Sequence, residues 1–169
     1  VFKSDDNKLM CNYRPISVLP VFSKILEKIM YKRLISYLEK HEIIAENQYG
    51  FREHHSTYMA LVDIVDKISN EIDNKKYSLA VFIDLSKAFD TINYQILLSK
   101  LYLHGVRGSA YNWFHSYLSN RQQYVQIDQT KSSILHVNYG VPQGSILGPL
   151  LFILYINDIV NVSKLVNII

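Results

Sequence analysis

Cys11 is the only cysteine in the 169 residues, so neither an intramolecular disulfide nor a thiolate-rich zinc site can be assembled from this chain. That scarcity favours a reducing, intracellular setting, cytoplasm or nucleus. Long apolar runs are also missing. The strongest, Ile146 to Ile156, is interrupted by Gly148 and Pro149 and falls short of the ~20 apolar residues that a bilayer span needs, so no membrane partner is expected. An excess of either charge is small as well: the formal net charge is +3, with 12 basic and 11 acidic groups in residues 1 to 76 and 6 and 4 in residues 77 to 169. So weak an imbalance neither marks nor excludes a nucleic-acid binder. No internal repeat or low-complexity tract is present.

Hydrophobic residues, at 49%, suffice for a sizeable core, and charged residues make up 20%. The chain opens on Val1-Phe2-Lys3 and closes on Asn167-Ile168-Ile169, with neither an initiator methionine nor a polar tail, and is expected to be a piece of something longer.

Residues 3 to 14 are polar and lead into Arg14-Pro15-Ile16-Ser17-Val18-Leu19-Pro20, where two prolines predict an extended or turning segment. Phe22, Ile25, Leu26, Ile29, Met30, Leu34, Tyr37 and Leu38 then recur at helical spacing. Lys24, Glu27, Lys28, Lys32, Glu39 and Lys40 fill the other face. A second amphipathic helix, capped by Ser56 or Thr57, places Leu61, Ile64, Val65, Ile68 and Ile72 on one side. Leu79-Ala80-Val81-Phe82-Ile83 is an unbroken apolar run that predicts a strand buried on both faces and ending in Asp84.

Helical patterns follow around Leu97, Leu98 and Leu101, and around Tyr111, Trp113, Phe114 and Leu118. Tyr124 to Asp128 and Leu135 to Tyr139 alternate as the arms of a hairpin turning near Gln129 to Ser132. A glycine-punctuated loop, Gly140 to Gly148, feeds a last apolar helix from about Pro149 to Val160, with Pro149 suited to its first turn. Helices mixed with a hairpin place the chain in the α+β class.

A carboxylate directly after five apolar residues is costly unless a cation, a metal or hydrogen bonds meet it, which makes Asp84 a candidate metal ligand. Strand ends also simply return to water, with the aspartate capping the following turn. The surrounding string, Phe82-Ile83-Asp84-Leu85-Ser86-Lys87-Ala88-Phe89-Asp90-Thr91, resembles motif A of reverse transcriptases, particularly those of LINE-type (non-LTR) retrotransposons. Gly140-Val141-Pro142-Gln143-Gly144-Ser145-Ile146-Leu147-Gly148-Pro149 resembles motif B of the same family. Tyr13-Arg14-Pro15-Ile16-Ser17 and Gln48-Tyr49-Gly50-Phe51-Arg52 look like its fingers motifs.

The resemblance implies the fingers and partial palm of a right-hand polymerase fold, with residues 1–76 fingers-like and 77–169 a partial palm. It implies RNA-directed DNA polymerase activity on an RNA template and DNA primer, with deoxynucleoside triphosphates as substrates and the rest of a parent polyprotein as partner. Asp84 and the Leu85 carbonyl would be ligands of two magnesium ions about 3.5 to 4 Å apart, which activate the primer hydroxyl and stabilise the leaving pyrophosphate. Ala88 and Phe89 would contact the nucleotide, the Phe89 ring excluding a ribose 2′-hydroxyl. Gln143 and Gly144 would sit beside the nucleotide or template base, and Arg52 would clamp the triphosphate.

Each of these residues also has an ordinary reading: Phe89 as core, the 140–148 loop as a glycine-rich turn opening a helix, and Arg52 as a solvated arginine. Asp90 reads as a structural hydrogen bond or helix cap, and Asp158 as a solvated or capping residue. Trp113, Phe114 and Tyr117 read as core at helical spacing, and the histidines as structural or surface.

The family's motif C, with its paired aspartates, has no counterpart, because Asp158 is the sole acidic residue after Gly144. The resemblance therefore implies a domain interrupted before its metal site is complete and inactive in isolation. The alternative is a non-catalytic nucleic-acid- or protein-binding remnant of a degenerate element. An aspartyl-phosphate enzyme is disfavoured, because Ser86 stands where a second aspartate is required.

Overall fold

The computed structural model describes residues 2, 6, 8, 9, 12–163, 166 and 168. Five α-helices and two small antiparallel ladders are present among them: α1 (Val21–Lys40), α2 (Thr57–Asp73), α3 (Tyr94–Leu103), α4 (Gly108–Leu118) and α5 (Gly148–Ile156), with β1 (Arg121–Gln123), β2 (Gln126–Ile127), β3 (Thr130–Lys131) and β4 (Leu135–Val137) between α4 and α5. This is an α+β arrangement, as the mixed periodicities predict.

The core forms where α3, α4 and α5 meet the C-terminal half of α1. Leu97 and Leu101 of α3, Phe114 and Leu118 of α4, and Leu150, Leu151, Ile153 and Leu154 of α5 are buried together with Leu34 and Leu38 of α1. α5 is apolar on every side, as its place at the centre requires. Its end is tied to the loop after α1 by one side chain: Asn157 Oδ1 accepts from the Ala45 N–H (2.9 Å) and its Nδ2 donates to the Ile43 carbonyl (2.7 Å). The helix stops at Ile156 and continues as a 3₁₀ turn to Asn161, close to the predicted end at Val160. Gly105 ends α3 at φ +90°, where a Cβ would meet the Tyr37 hydroxyl at 2.3 Å, and that hydroxyl donates to the His104 carbonyl.

The hairpin lies slightly earlier than predicted. Its arms pair Arg121 with Val137 and Gln126 with Lys131, and the chain reverses at Asp128–Gln129, because Asp128 tolerates the left-handed conformation (φ 51°) that a tight turn needs. Between the two ladders the Ser132 hydroxyl accepts from the Val125 N–H, replacing a backbone partner.

Four expectations need correction. The 79–83 run forms no strand: Leu79 is 90% and Phe82 82% exposed, because strand propensity is realised only when a neighbour completes the ladder, and no described residue pairs with this segment. The N-terminal half of the α1 stripe is likewise uncovered, with Phe22, Ile25, Leu26 and Ile29 all exposed. Glu27, assigned to the polar face, is instead 1% exposed. α2 starts at the predicted cap, where the Ser56 hydroxyl accepts from the Met59 N–H, but it buries none of its residues.

Burial therefore sets where substitutions cost stability. Leu101→Ala should destabilise the fold by roughly 2 to 5 kcal/mol, whereas Val65→Ala on α2 should stay within about 0.5 kcal/mol. Denaturant unfolding of both variants checks this, and equal losses would mean that α2 is packed after all.

Candidate functional site

Some of the residues singled out in the sequence meet at the loop 140–148, which is held from several directions. Its N-terminal end lies along the 3₁₀ turn Ala88–Asp90: the Val141 N–H donates to the Phe89 carbonyl and the Gly140 N–H to the Ile92 carbonyl, each at 2.8 Å. Gly140 is obligatory at this crossing. It sits at φ +81°, and a Cβ there would come within 2.8 Å of the Asp90 Cα, a backbone atom that cannot swing away. The Tyr94 hydroxyl donates to the Gly140 carbonyl (2.7 Å), and burial raises the pKa of that phenol despite the opposing charge of Arg121.

Further along the loop, the Gln143 amide donates to Asp90 Oδ1 at 3.5 Å, a long contact that nonetheless joins the two motif-like segments. The Gln143 carbonyl accepts from the Ser17 N–H (2.9 Å), which fixes the Arg14–Pro20 segment against the loop. Gly144, at φ +101°, faces the Ser17 carbonyl.

Phe89 is the aromatic centre of the site. Its ring lies 5.0 Å from that of Phe152 on α5 and 6.0 Å, edge to face, from that of Phe51. Such pairs fix a ring's orientation as well as burying it. Phe51 brings the Gln48–Arg52 segment to the same place, but Arg52 itself is engaged elsewhere. Its Nη1 donates to the carbonyls of Ala45 (3.1 Å) and Gln48 (3.3 Å), closing the loop it ends.

Asp84 and Leu85 lie just before the 3₁₀ turn, outside any helix or strand, and are exposed. Among the described residues, no three His, Cys, Asp or Glu side chains come together in a way that could hold a metal ion.

A model of the family described as reverse transcriptase (RNA-dependent DNA polymerase) matches residues 3–168. The chain belongs to the reverse transcriptase family. It is 37% identical over 147 residues to a protein named probable RNA-directed DNA polymerase from transposon X-element of Drosophila melanogaster, and 35% identical over 147 residues to the RNA-directed DNA polymerase from mobile element jockey of the same species; each alignment covers 87% of this chain. A Pol polyprotein from the type-1 retrotransposable element R2 of Popillia japonica is 27% identical over 153 residues, 89% of this chain. The chain spans 16% of the length of the first two relatives and 21% of the third. The LINE-type resemblance read from the motifs is thus confirmed.

In this reverse transcriptase domain the fold gathers Phe89, Gln143 and Gly144 around the meeting of turn and loop, leaves Ala88 on the turn, and sets Asp84, Leu85 and Arg52 apart from direct bonds to them. Three participants escaped the sequence reading. Tyr94, given no role in the sequence reading, bonds the loop through its hydroxyl. Tyr117, read as core, points its hydroxyl at Glu27 (3.1 Å). Glu27 was misassigned, although a signal was present: with Tyr31, Leu34 and Leu38 it follows the 4-3-4 spacing of a buried helical stripe.

The crossing at Gly140 supplies a test. Gly140→Ala adds a backbone clash to positive-φ strain and should cost more than roughly 2 kcal/mol. Gly108→Ala, at φ +57° with nothing within 4 Å, should cost only the left-handed strain of about 1 to 2 kcal/mol. Chemical denaturation of the two variants decides it, and equal costs would show that the turn and loop are not in contact.

Proposed function

We propose that these residues form the fingers-like region (1–76) and partial palm (77–169) of an RNA-directed DNA polymerase that adds deoxynucleotides to a primer 3′-hydroxyl on an RNA template. The observation that carries this reading is the junction of the Ala88–Asp90 turn, the 140–148 loop and Phe51, three separate motifs that share no sequence neighbourhood yet meet at one residue, the loop on the Phe89 carbonyl and Phe51 on its ring. A nucleotide seated there would lie against the Phe89 ring, which Phe51 and Phe152 hold in place, so the ring is suited to exclude a 2′-hydroxyl by bulk rather than by a hydrogen bond. Gln143, steadied by Asp90 and by its own carbonyl's bond to Ser17, is placed to meet a base edge with an amide that donates and accepts. Arg52 would act on a triphosphate only through guanidinium nitrogens other than the Nη1 that closes its loop.

Asp84 and the Leu85 carbonyl are the proposed magnesium ligands. Taken alone they do not fit a two-ion site: hard cations need several oxygen donors, and no second carboxylate joins Asp84 among the described residues. The same observation supports the second reading, that these residues on their own act as a non-catalytic binding module for nucleic acid or protein.

The two readings part experimentally. The 169-residue chain should show no magnesium-dependent primer extension. A longer polymerase that contains it should copy RNA into DNA and lose that activity by more than about a thousandfold on Asp84→Ala. Synthesis that survives the substitution would remove Asp84 from the reaction. Filter binding of primer-template by the short chain, with affinity falling steeply as salt rises, would place the nucleic-acid contacts within it.

A further inference from the structure

Glu27 lies on α1, well outside the motif-like segments, yet it is among the most buried side chains of the protein. Its carboxylate reaches the back of the 140–148 loop: Oε2 accepts from the Ile146 N–H at 2.7 Å, and Oε1 accepts from the Tyr117 hydroxyl at 3.1 Å. An ionised carboxylate has only acceptors to offer, and here each oxygen meets a donor from a different element. The surroundings reinforce the bridge. Burial, and then the charge of Glu27, raise the Tyr117 pKa well above its ordinary value, so the phenol keeps its proton and remains a donor. Ser145, itself buried, accepts from the Gly148 N–H (2.9 Å) and shapes the turn that presents Ile146.

Burying a carboxylate costs free energy that an apolar side chain of similar size would not, so stability alone is a poor account of Glu27. What a charge-assisted bond adds is direction. It fixes one backbone N–H of the loop to a rigid helix, three residues from Gln143.

We propose that Glu27 is a positioning residue for nucleotide addition, holding the 140–148 loop from behind so that Gln143 and Gly144 keep the shape in which they meet nucleotide or template. The proposal rests on the polymerase reading of that loop. Glu27 itself touches no substrate. Its effect passes through Ile146 and Tyr117, and it acts on binding of the incoming nucleotide more than on the chemical step.

The test uses a polymerase that contains these residues and copies RNA. Glu27→Ala leaves both donors without an acceptor, and it should raise KM for the deoxynucleoside triphosphate by about tenfold or more while kcat changes less than about threefold. Glu27→Gln keeps one carbonyl oxygen for Ile146 and should return KM to within about threefold of the parent. Amide hydrogen exchange on the same proteins should show Ile146 exchanging at least about tenfold faster in the alanine variant, with the α3 amides unchanged.

An unaltered KM in Glu27→Ala overturns the proposal. So does a uniform loss in both variants accompanied by faster exchange throughout the core, which is what a merely structural role produces. If the parent makes no DNA, or makes it equally well after Asp84→Ala, the polymerase reading fails instead. The exchange comparison still decides whether Glu27 holds the loop.

Discussion

The site depends on two strips of backbone lying directly on one another. Gly140 passes over Asp90 with no room for a Cβ, and on either side of that crossing the loop donates to the carbonyls of Phe89 and Ile92. Because the contact is between main chains, it sets the separation of the two segments regardless of the side chains around them. Everything placed on the loop downstream, Gln143 and Gly144 included, inherits its position from this crossing. Everything on the turn, Phe89 above all, is pinned by the same bonds. The side-chain ties from Tyr94 and Glu27, with the backbone bond from the Ser17 N–H, then remove the remaining freedom of a loop whose glycines would otherwise make it pliable.

Much of this was legible in the sequence, for reasons that differ from element to element. α3, α4 and α5 bury the leucines and the Phe114 that the periodicity singled out, because each helix finds its apolar partners within the chain. The hairpin was legible from its alternation, and its turn was misplaced only because a single left-handed aspartate relocates a reversal that alternation cannot locate. The motif strings identified the family, since their order and content are specific in a way that composition is not. Glu27 was not legible as buried, because residue type outweighed register when the stripe was drawn, and its acceptors are needed by donors 90 and 119 residues away.

The apolar segments that remain exposed share one physical circumstance. The 79–83 run has strand-forming residues but no ladder, and α2 has an apolar side but buries none of it. In both, local preference is present and the long-range partner that would make it pay is not among the described residues. Helix formation needs only bonds within the segment, so α2 exists regardless; a strand borrows half of its bonds from elsewhere, so 79–83 does not form one. Asp84 stands at the end of that run and shares its circumstance. Its candidacy as a ligand therefore rests on the family string rather than on surrounding geometry.

Trp113 is the single tryptophan of the chain, and it stacks on Tyr117 at 5.3 Å with ring planes 9° apart. Tyr117 is in turn the phenol that bonds Glu27. The protein thus carries an intrinsic fluorophore against the anchor of its loop, and loosening there alters the indole's surroundings. Emission excited selectively at the indole therefore reads out this one cluster, with no label attached.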